Sequence, residues 1–180
     1  MRKTVKKWFW VWEFEKEEAW LAQMAAQGWS LVSVSYCRYE FESCTPNEYT
    51  MRLEMLSEPV TTASSQEYLQ FIEQTGAQYI GHVLKWVYFR KKTALGSFDL
   101  YSDMDSRIRH LKRILAMLTP LLLVNAANTF QQLTLIDHSA DTLLLFTCLL
   151  SAAATGLLLY GIIRLNAMRS RMEKERLLHE

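Results

Sequence analysis

Tryptophan recurs at every second position near the start of the chain, at Trp8, Trp10 and Trp12. Side chains two positions apart share one face of a strand, so the spacing predicts a strand over residues 7–14 that carries a row of indole rings. Such a row could line a pocket for a hydrophobic or cationic ligand, with Trp8 and Trp12 as contacts. It could also fill the core of a small domain, and we expect Trp10, at the centre, to be the best buried.

Charged side chains inside predicted strands are the second candidate set. Arg52 and Glu54 lie two positions apart and share a face, where they could fix a polar group of a ligand. Tyr88, on a later predicted strand, completes the set. The alternative is a solvated sheet face with cross-strand ion pairs, which are weak at a surface.

Residue patterns typical of catalysis or of metal binding are missing from the sequence. The four histidines are scattered, and neither they nor the three cysteines show the spacing of metal ligands. The chain has no nucleophile motif and no glycine-rich phosphate loop. We therefore expect no catalytic residue, no metal and no cofactor, and a protein that is not an enzyme.

An internal duplication predicts the elements that position these side chains. A shift of 48 positions places Gly28 on Gly76 and Phe41 on Phe89 without a gap between them. Each copy reads as a strand, a helix, a glycine that ends the helix, and two further strands. The expected fold class is α+β, a duplicated βαββ domain with two helices over a mainly antiparallel sheet. The predicted helices cover residues 15–27 and 64–75, the second capped by Ser64 or Ser65, and the predicted strands cover 7–14, 29–36, 38–42, 48–56, 78–83 and 86–90.

The second half of the chain predicts a transmembrane hairpin. Residues 142–163 are 22 residues without a charge, which as a helix would span about 33 Å, enough for a hydrocarbon core of about 30 Å. Residues 114–136 are also free of charge, and the five residues between the two segments suit a tight turn. The predicted organisation is a domain at 1–98, a connector helix at 99–113 that begins with Ser102 as its N-cap, spans at 114–136 and 142–163, and a basic tail at 164–180.

Polar side chains recur at helical spacing on both predicted spans. Hydrogen bonds between two membrane helices, which are worth about 0.6–2 kcal/mol each, explain the pattern better than a transport path does. The polar side chains are Asn125, Asn128 and Gln132 on the first span and Thr147, Ser151 and Thr155 on the second.

Positive charge flanks the hairpin on one side only. The turn carries two aspartates and no cation, so the positive-inside rule predicts a multi-pass protein of the cell membrane with both termini in the cytoplasm. The flanking cations can also contact anionic lipid. Nucleic-acid binding is not expected, because the first half has no cationic excess. The cations expected to face lipid are Arg107, Arg109, Lys112, Arg113, Arg164 and Arg169.

Three segments carry a resemblance to a known family: WEFEKEEAWLAQMAAQGWSLVSVSYCRYEFE, PNEYTMRLEML and LYSDMDSRIRHLKRI. Over residues 8–114 they resemble the bacterial family catalogued as domain of unknown function 2812. The resemblance implies membrane helices after the domain and a functional link to a PadR-type repressor, and it assigns no catalytic residue. The duplicated βαββ module is also similar in topology to gyrase-inhibitor-like ligand-binding proteins, which is an analogy only.

These features together favour a membrane-anchored cytoplasmic sensor or adaptor that binds a small ligand or a partner protein. The alternative is a structural or accessory subunit of a membrane complex such as a transporter, held through the hairpin, which could also form a homo-oligomer. An enzyme that acts on a membrane-derived substrate is a third hypothesis.

Overall fold

The computed structural model describes the backbone of residues 1–100, 104–136 and 142–179, and the side chains of residues 1–100, 105–135 and 142–175. The chain divides into two compact units, Met1–Ser102 and Asp103–Glu180, and each is described by itself. The predicted N-cap Ser102 and the predicted turn at 137–141 lie outside the described residues.

The first unit has the predicted order of strand, helix, strand and strand, twice over. Helices α1 (Phe14–Ala26) and α2 (Ala63–Gln74) lie within one residue of their predicted bounds. Short 3-10 helices, Val11–Glu13 and Thr93–Leu95, precede α1 and follow the last strand. The strands are β1 (Arg2–Lys6), β2 (Trp29–Ser35), β3 (Arg38–Ser43), β4 (Tyr49–Met55), β5 (Ala77–Val83) and β6 (Trp86–Lys92).

The six strands form two three-stranded antiparallel sheets, where the sequence suggested one shared sheet. The first sheet has the order β1-β3-β2 and the second has the order β4-β6-β5. Strands β2 and β5 lie side by side, and each has a register shift, between Leu31 and Ser33 in β2 and between Tyr79 and Gly81 in β5. These positions are equivalent in the two copies. A bulge bends a strand and locally disrupts its ladder, and each copy carries one in the strand that faces the other sheet.

Each helix ends at the predicted glycine. Gly28 and Gly76 have φ angles of 79° and 86°, in the left-handed region that glycine adopts without strain. Space is a second constraint at Gly28, because an added Cβ would lie 2.9 Å from the carbonyl oxygen of Cys44. The glycine therefore ends α1 and lets the chain pass close to the segment after β3.

Two hydrophobic cores hold the first unit together. The first core joins α1 to the inner faces of both sheets, and the second lies between α2 and the opposite face of the second sheet. The first core contains Leu21, Met24, Leu31, Phe41, Met51, Leu53 and Tyr88, and the second contains Leu56, Val60, Leu69, Ile72, Val87, Phe89 and Phe98.

The prediction of a strand over residues 7–14 is wrong. Strand β1 ends at Lys6, and Val11–Glu13 form a 3-10 helix. The backbone N–H of Glu13 donates to the carbonyl oxygen of Trp10 at 2.7 Å, and the N–H of Trp10 donates to the Glu13 carboxylate at 3.3 Å. Because these backbone groups are satisfied within the turn, the segment does not join a sheet.

The N-cap of α2 also differs from the prediction. Thr62 occupies this position in extended conformation, and its side-chain oxygen accepts from the backbone N–H of Ser65 at 3.4 Å. Ser64 and Ser65 lie inside the first turn. Thr62 therefore satisfies a backbone donor that the helix itself leaves unpaired.

The second unit consists of two long helices, α3 (Met104–Ile136) and α4 (Thr142–His179), which pack against each other. Both are long and apolar enough to cross a membrane, with mean hydropathies of 1.4 and 2.1 in their best segments. Large apolar side chains lie exposed along both helices, among them Leu123, Val124, Phe130, Phe146 and Leu149. Exposed apolar surface of this extent marks a surface for contact with a membrane or with another protein.

A polar cluster joins α3 to α4 near the middle of the hairpin. The Thr129 and Ser151 hydroxyls lie 2.6 Å apart, and the Asn125 amide donates to the Thr155 hydroxyl at 3.2 Å. The predicted packing role is confirmed for Asn125, Ser151 and Thr155. It is wrong for Asn128, which is exposed.

Candidate functional site

The structure does not assemble the five predicted ligand contacts into one site. Trp8 is 51% exposed, whereas Trp12 is 4% exposed. The expectation that Trp10 would be the best buried is wrong, because its side chain is 39% exposed beside the 3-10 turn. Arg52 and Glu54 share the α2 face of β4, as predicted, but Tyr88 pairs with Leu53 and therefore lies on the opposite face of that sheet.

Arg52 and Glu54 each have partners within the first unit. Arg52 forms an ion pair of 3.6 Å with Asp99. Glu54 is buried, and its carboxylate accepts a hydrogen bond of 2.5 Å from the hydroxyl of Tyr68 on α2. This pair attaches α2 to the second sheet, which is a structural role.

Tyr88 belongs to a different site, which is centred on the carboxylate of Glu17. Glu17 is 7% exposed, and its Oε1 accepts hydrogen bonds of 2.7 Å from the hydroxyls of both Tyr39 and Tyr88. The three residues come from α1, β3 and β6. Glu17, Tyr39 and Tyr88, here named the Glu17 cluster, therefore join one helix to both sheets.

Aromatic rings surround the Glu17 cluster. The ring of Trp20 lies 4.9 Å from the ring of Tyr39 in an edge-on arrangement, and the rings of Phe14 and Trp86 lie 5.9 Å apart. These three rings are half-buried and pack against the first core. They belong to the apolar surroundings of the buried carboxylate.

Burial governs the protonation of this site. It raises the pKa of the Glu17 carboxyl above the ordinary value of 4.5, and the hydroxyls of Tyr39 and Tyr88 offset part of the rise by donating to the charged form. Burial, followed by the charge of Glu17, raises the pKa of both tyrosines well above 10. The tyrosines therefore remain protonated donors, and Glu17 is the group that changes charge.

A poorly hydrated carboxylate among aromatic rings has a clear chemical preference. It attracts a cation more strongly than an exposed carboxylate does, because the local dielectric constant is low. Aromatic faces add a further attraction for organic cations. The Glu17 cluster is therefore suited to an apolar cation. A bound cation would neutralise the Glu17 carboxylate, as a proton does when no cation is bound.

Metal binding has no comparable support in the part of the chain that the structure describes. No group of three or more His, Cys, Asp or Glu side chains is placed there to hold a metal ion. Tyr79 and His82 do interact, with 2.7 Å between the hydroxyl and Nδ1, but Tyr79 packs against the second core and the pair alone does not make a metal site.

Sequence reasoning missed Glu17 and Tyr39. Glu17 is one of two acidic residues in the first turn of α1, which is a common place for them. One signal was available: Glu17, Leu21 and Met24 follow the i, i+4, i+7 spacing of the buried face of α1. A carboxylate on an apolar stripe is unusual, since buried charges are seldom found without partners.

Comparison with known protein families identifies the family of this chain. A family model described as "Protein of unknown function (DUF2812)" matches residues 13–123, which is more than half of the chain. The chain belongs to the DUF2812 family. The DUF2812 match includes all three residues of the Glu17 cluster and begins after Trp12. No curated protein and no solved structure gave a match.

Proposed function

We propose that this DUF2812 protein is a sensor in a bacterial membrane whose first unit binds an apolar organic cation at Glu17. The proposed role is regulatory and not catalytic. Binding a cation requires only the charge of Glu17 and the surrounding rings, and no covalent bond of the ligand is broken. The observation that supports this proposal most is the buried Glu17 carboxylate, which two tyrosine hydroxyls hold in aromatic surroundings.

The proposed route to the carboxylate passes the half-buried rings. Phe14 and Trp20 precede and follow Glu17 by one turn of α1, and Trp86 packs beside Phe14. A ligand that displaced one of these rings would replace its contacts with its own apolar groups. A flat or bulky cation fits this exchange better than a small hydrated ion, because hydration of the small ion would compete with the rings.

The proposed signal is a change in the link between the two sheets. Tyr39 belongs to the first sheet and Tyr88 to the second, and both donate to the same carboxylate oxygen. A cation at Glu17 competes with these donors for the charge. Its binding would therefore favour a different arrangement of α1 against the sheets, which a partner protein could recognise.

The proposed location is the cell membrane, with the first unit and both termini in the cytoplasm. The supporting observation is the distribution of cations on the hairpin. Arg107, Arg109 and Lys112 lie exposed near the start of α3, and Arg169 and Arg171 lie near the end of α4. Cations at these ends favour retention on the cytoplasmic side.

Mass spectrometry of small molecules bound to the intact protein tests the proposed function. The wild type and the Glu17→Gln variant would be purified in parallel from native membranes. We expect organic cations to accompany the wild type and to be depleted at least tenfold from the variant. Equal recovery of the same molecules from both proteins would contradict a role for Glu17.

One observation favours the alternative of an accessory subunit. Asn128 lies exposed on α3, within the segment that would cross the membrane. An amide in hydrocarbon is costly without a hydrogen-bond partner. A helix of another membrane protein could supply this partner, and loss of a copurifying protein in the Asn128→Leu variant would support the alternative.

A further inference from the structure

Exposed aromatic rings form a continuous ladder next to β1. The rings of Trp8 and Trp10 lie 5.3 Å apart, Trp10 stacks on Trp12 at 5.2 Å, and Tyr36 packs against Trp8 at 5.9 Å. Trp12 is buried, but Trp8, Trp10 and Tyr36 are exposed by 51%, 39% and 68%. Trp12 thus anchors the ladder in the protein, and the other three rings face solvent.

Two lysines precede the ladder in the chain, and the ammonium group of Lys7 lies over the rings of Phe9 and Trp20, 5.0 and 4.7 Å from their centroids. Lys6 and Lys7 are exposed and immediately precede Trp8, and the backbone N–H of Lys7 donates to the carbonyl oxygen of Cys37 at 3.1 Å. This bond holds the segment against the turn that carries Tyr36. The aromatic–basic surface is defined here as Lys6, Lys7, Trp8, Trp10 and Tyr36.

Charge in the first unit is strongly polarised toward this surface. Residues 1–12 carry four cations and no carboxylate. Residues 13–102 carry seven cations and twelve carboxylates, a net charge of −5. The basic segment of an otherwise acidic unit therefore leads directly into the exposed rings, and its strand β1 pairs with β3, which carries Arg38, Glu40 and Glu42.

The second copy of the repeat shows that the fold does not require this surface. The N–H of Leu56 donates to the carbonyl oxygen of Lys85 at 2.9 Å, which is the counterpart of the bond from Lys7 to Cys37. Leu56 is buried, and the three residues after it are Ser57, Glu58 and Pro59. Exposed tryptophans at the equivalent place in the first copy therefore need an explanation other than folding.

We propose that the aromatic–basic surface binds the surface of an anionic phospholipid bilayer. Indole and phenol rings prefer the boundary between headgroups and acyl chains, where one edge meets water and the rest meets hydrocarbon. Lysines beside them attract anionic headgroups, and each cation close to such a leaflet strengthens association about fivefold. The combination of rings and cations matches a lipid surface in both polarity and charge.

Covalent linkage to the hairpin strengthens this binding. The first unit continues into α3 through only a few residues, so an inserted hairpin keeps the unit at a high effective concentration near the bilayer. Weak individual contacts are sufficient under this condition. The surface would hold the unit in one orientation at the bilayer, which is distinct from ligand binding at Glu17.

Tryptophan fluorescence of the full-length protein offers a direct test. All six tryptophans lie between residues 8 and 86, so the hairpin contributes no signal of its own. The protein would be reconstituted in vesicles of brominated phosphatidylcholine, with and without phosphatidylglycerol, since bromine on acyl chains quenches indoles that reach them. We expect clear quenching in the anionic vesicles. It should weaken at least twofold from about 0.1 M to about 1 M salt, because the Debye length falls from about 10 Å to about 3 Å.

Two pairs of variants identify the surface. Lys6→Gln/Lys7→Gln should reduce the quenching at least twofold, whereas the matched Lys91→Gln/Lys92→Gln change at the end of β6 should leave it as in the wild type. Trp8→Phe/Trp10→Phe should abolish the quenchable fraction, and Trp29→Phe should retain it. Absence of quenching in anionic vesicles would overturn the proposal. Quenching that persists in Trp8→Phe/Trp10→Phe, or that is unchanged in Lys6→Gln/Lys7→Gln, would overturn it as well.

Discussion

The hydroxyl of Tyr88 donates a hydrogen bond of 2.7 Å to the carboxylate of Glu17, 71 positions earlier in the chain. This contact joins the second copy of the repeat to the helix of the first copy. Tyr39 donates to the same oxygen from the first sheet. A buried polar contact therefore lies within the otherwise apolar junction between the two copies.

Replacement of Glu17 should increase the stability of the first unit at neutral pH. Because the pKa of Glu17 is raised in the folded state, the folded protein holds this proton more tightly than the unfolded chain does. The free energy of unfolding should therefore fall as pH rises from about 4.5 to the folded pKa, and the loss persists above it. In Glu17→Gln this loss should vanish, a gain of about 1.4 kcal/mol for each unit by which the pKa was raised.

Urea unfolding of residues 1–102 at several pH values measures this effect. Both hydrophobic cores consist of residues of this unit, so we expect the fragment to unfold cooperatively. Glu67→Gln, on the exposed side of α2, is the control and should keep the pH dependence of the wild type. A Glu17→Gln variant less stable than the wild type at pH 7 would show that the charge supports folding.

The two tyrosine hydroxyls should have separable effects on Glu17. Tyr39→Phe and Tyr88→Phe each remove a donor to the charged carboxylate, so each should raise the pKa of Glu17 further. Each should also cost about 1.5–3 kcal/mol at neutral pH, the range for a hydrogen bond to a charged group. A carbon-13 NMR titration of the Glu17 carboxyl would detect the pKa change. Tyr79→Phe, which removes an exposed hydroxyl, should leave that titration as it is in the wild type.

Burial separates Trp12 from Trp8 in their contribution to stability. Trp12→Ala should cost about 3–5 kcal/mol, because the side chain is almost fully buried. Trp8→Ala should change the free energy of unfolding by less than about 0.5 kcal/mol, as expected for an exposed side chain. Similar large losses in both variants, measured by urea unfolding, would mean that Trp8 is part of the core.

Hydrophobic periodicity was sufficient to predict the helices and most strands. The stripe through Leu21 and Met24, together with the stops at Gly28 and Gly76, placed α1 and α2 within one residue. These patterns are local, and the structure follows them. The polar packing of Asn125 against Thr155 could also be predicted, since each lies on the polar face of its helix.

The sequence-based predictions failed where a feature depends on contacts between residues distant in sequence, or where the residue spacing fits more than one structure. Alternating tryptophans fit a strand, but the hydrogen bonds between Trp10 and Glu13 close a turn instead. The separation into two sheets depends on which distant strands pair, and the hydrophobic periodicity of a strand does not specify its partner. The role of Glu17 depends on Tyr39 and Tyr88, which only the fold brings together.

Cysteine labelling in intact cells tests the proposed membrane topology. In a background with Cys37, Cys44 and Cys148 replaced by serine, Ser139→Cys should react with an impermeant thiol reagent added outside. Ser106→Cys and Ser170→Cys, beside the basic flanks, should react only after the cells are permeabilised. Labelling of Ser106→Cys from outside would reverse the orientation.

The affinity of the full-length protein for a lipophilic cation tests the central claim most directly. Tetraphenylphosphonium would be titrated in detergent against the wild type and Glu17→Gln, with tetraphenylborate as an anion of the same shape. We expect the phosphonium to bind the wild type at least tenfold more tightly than the variant, with no such difference for the borate. Equal affinity of both proteins for the phosphonium would contradict the assignment of Glu17 as a cation site.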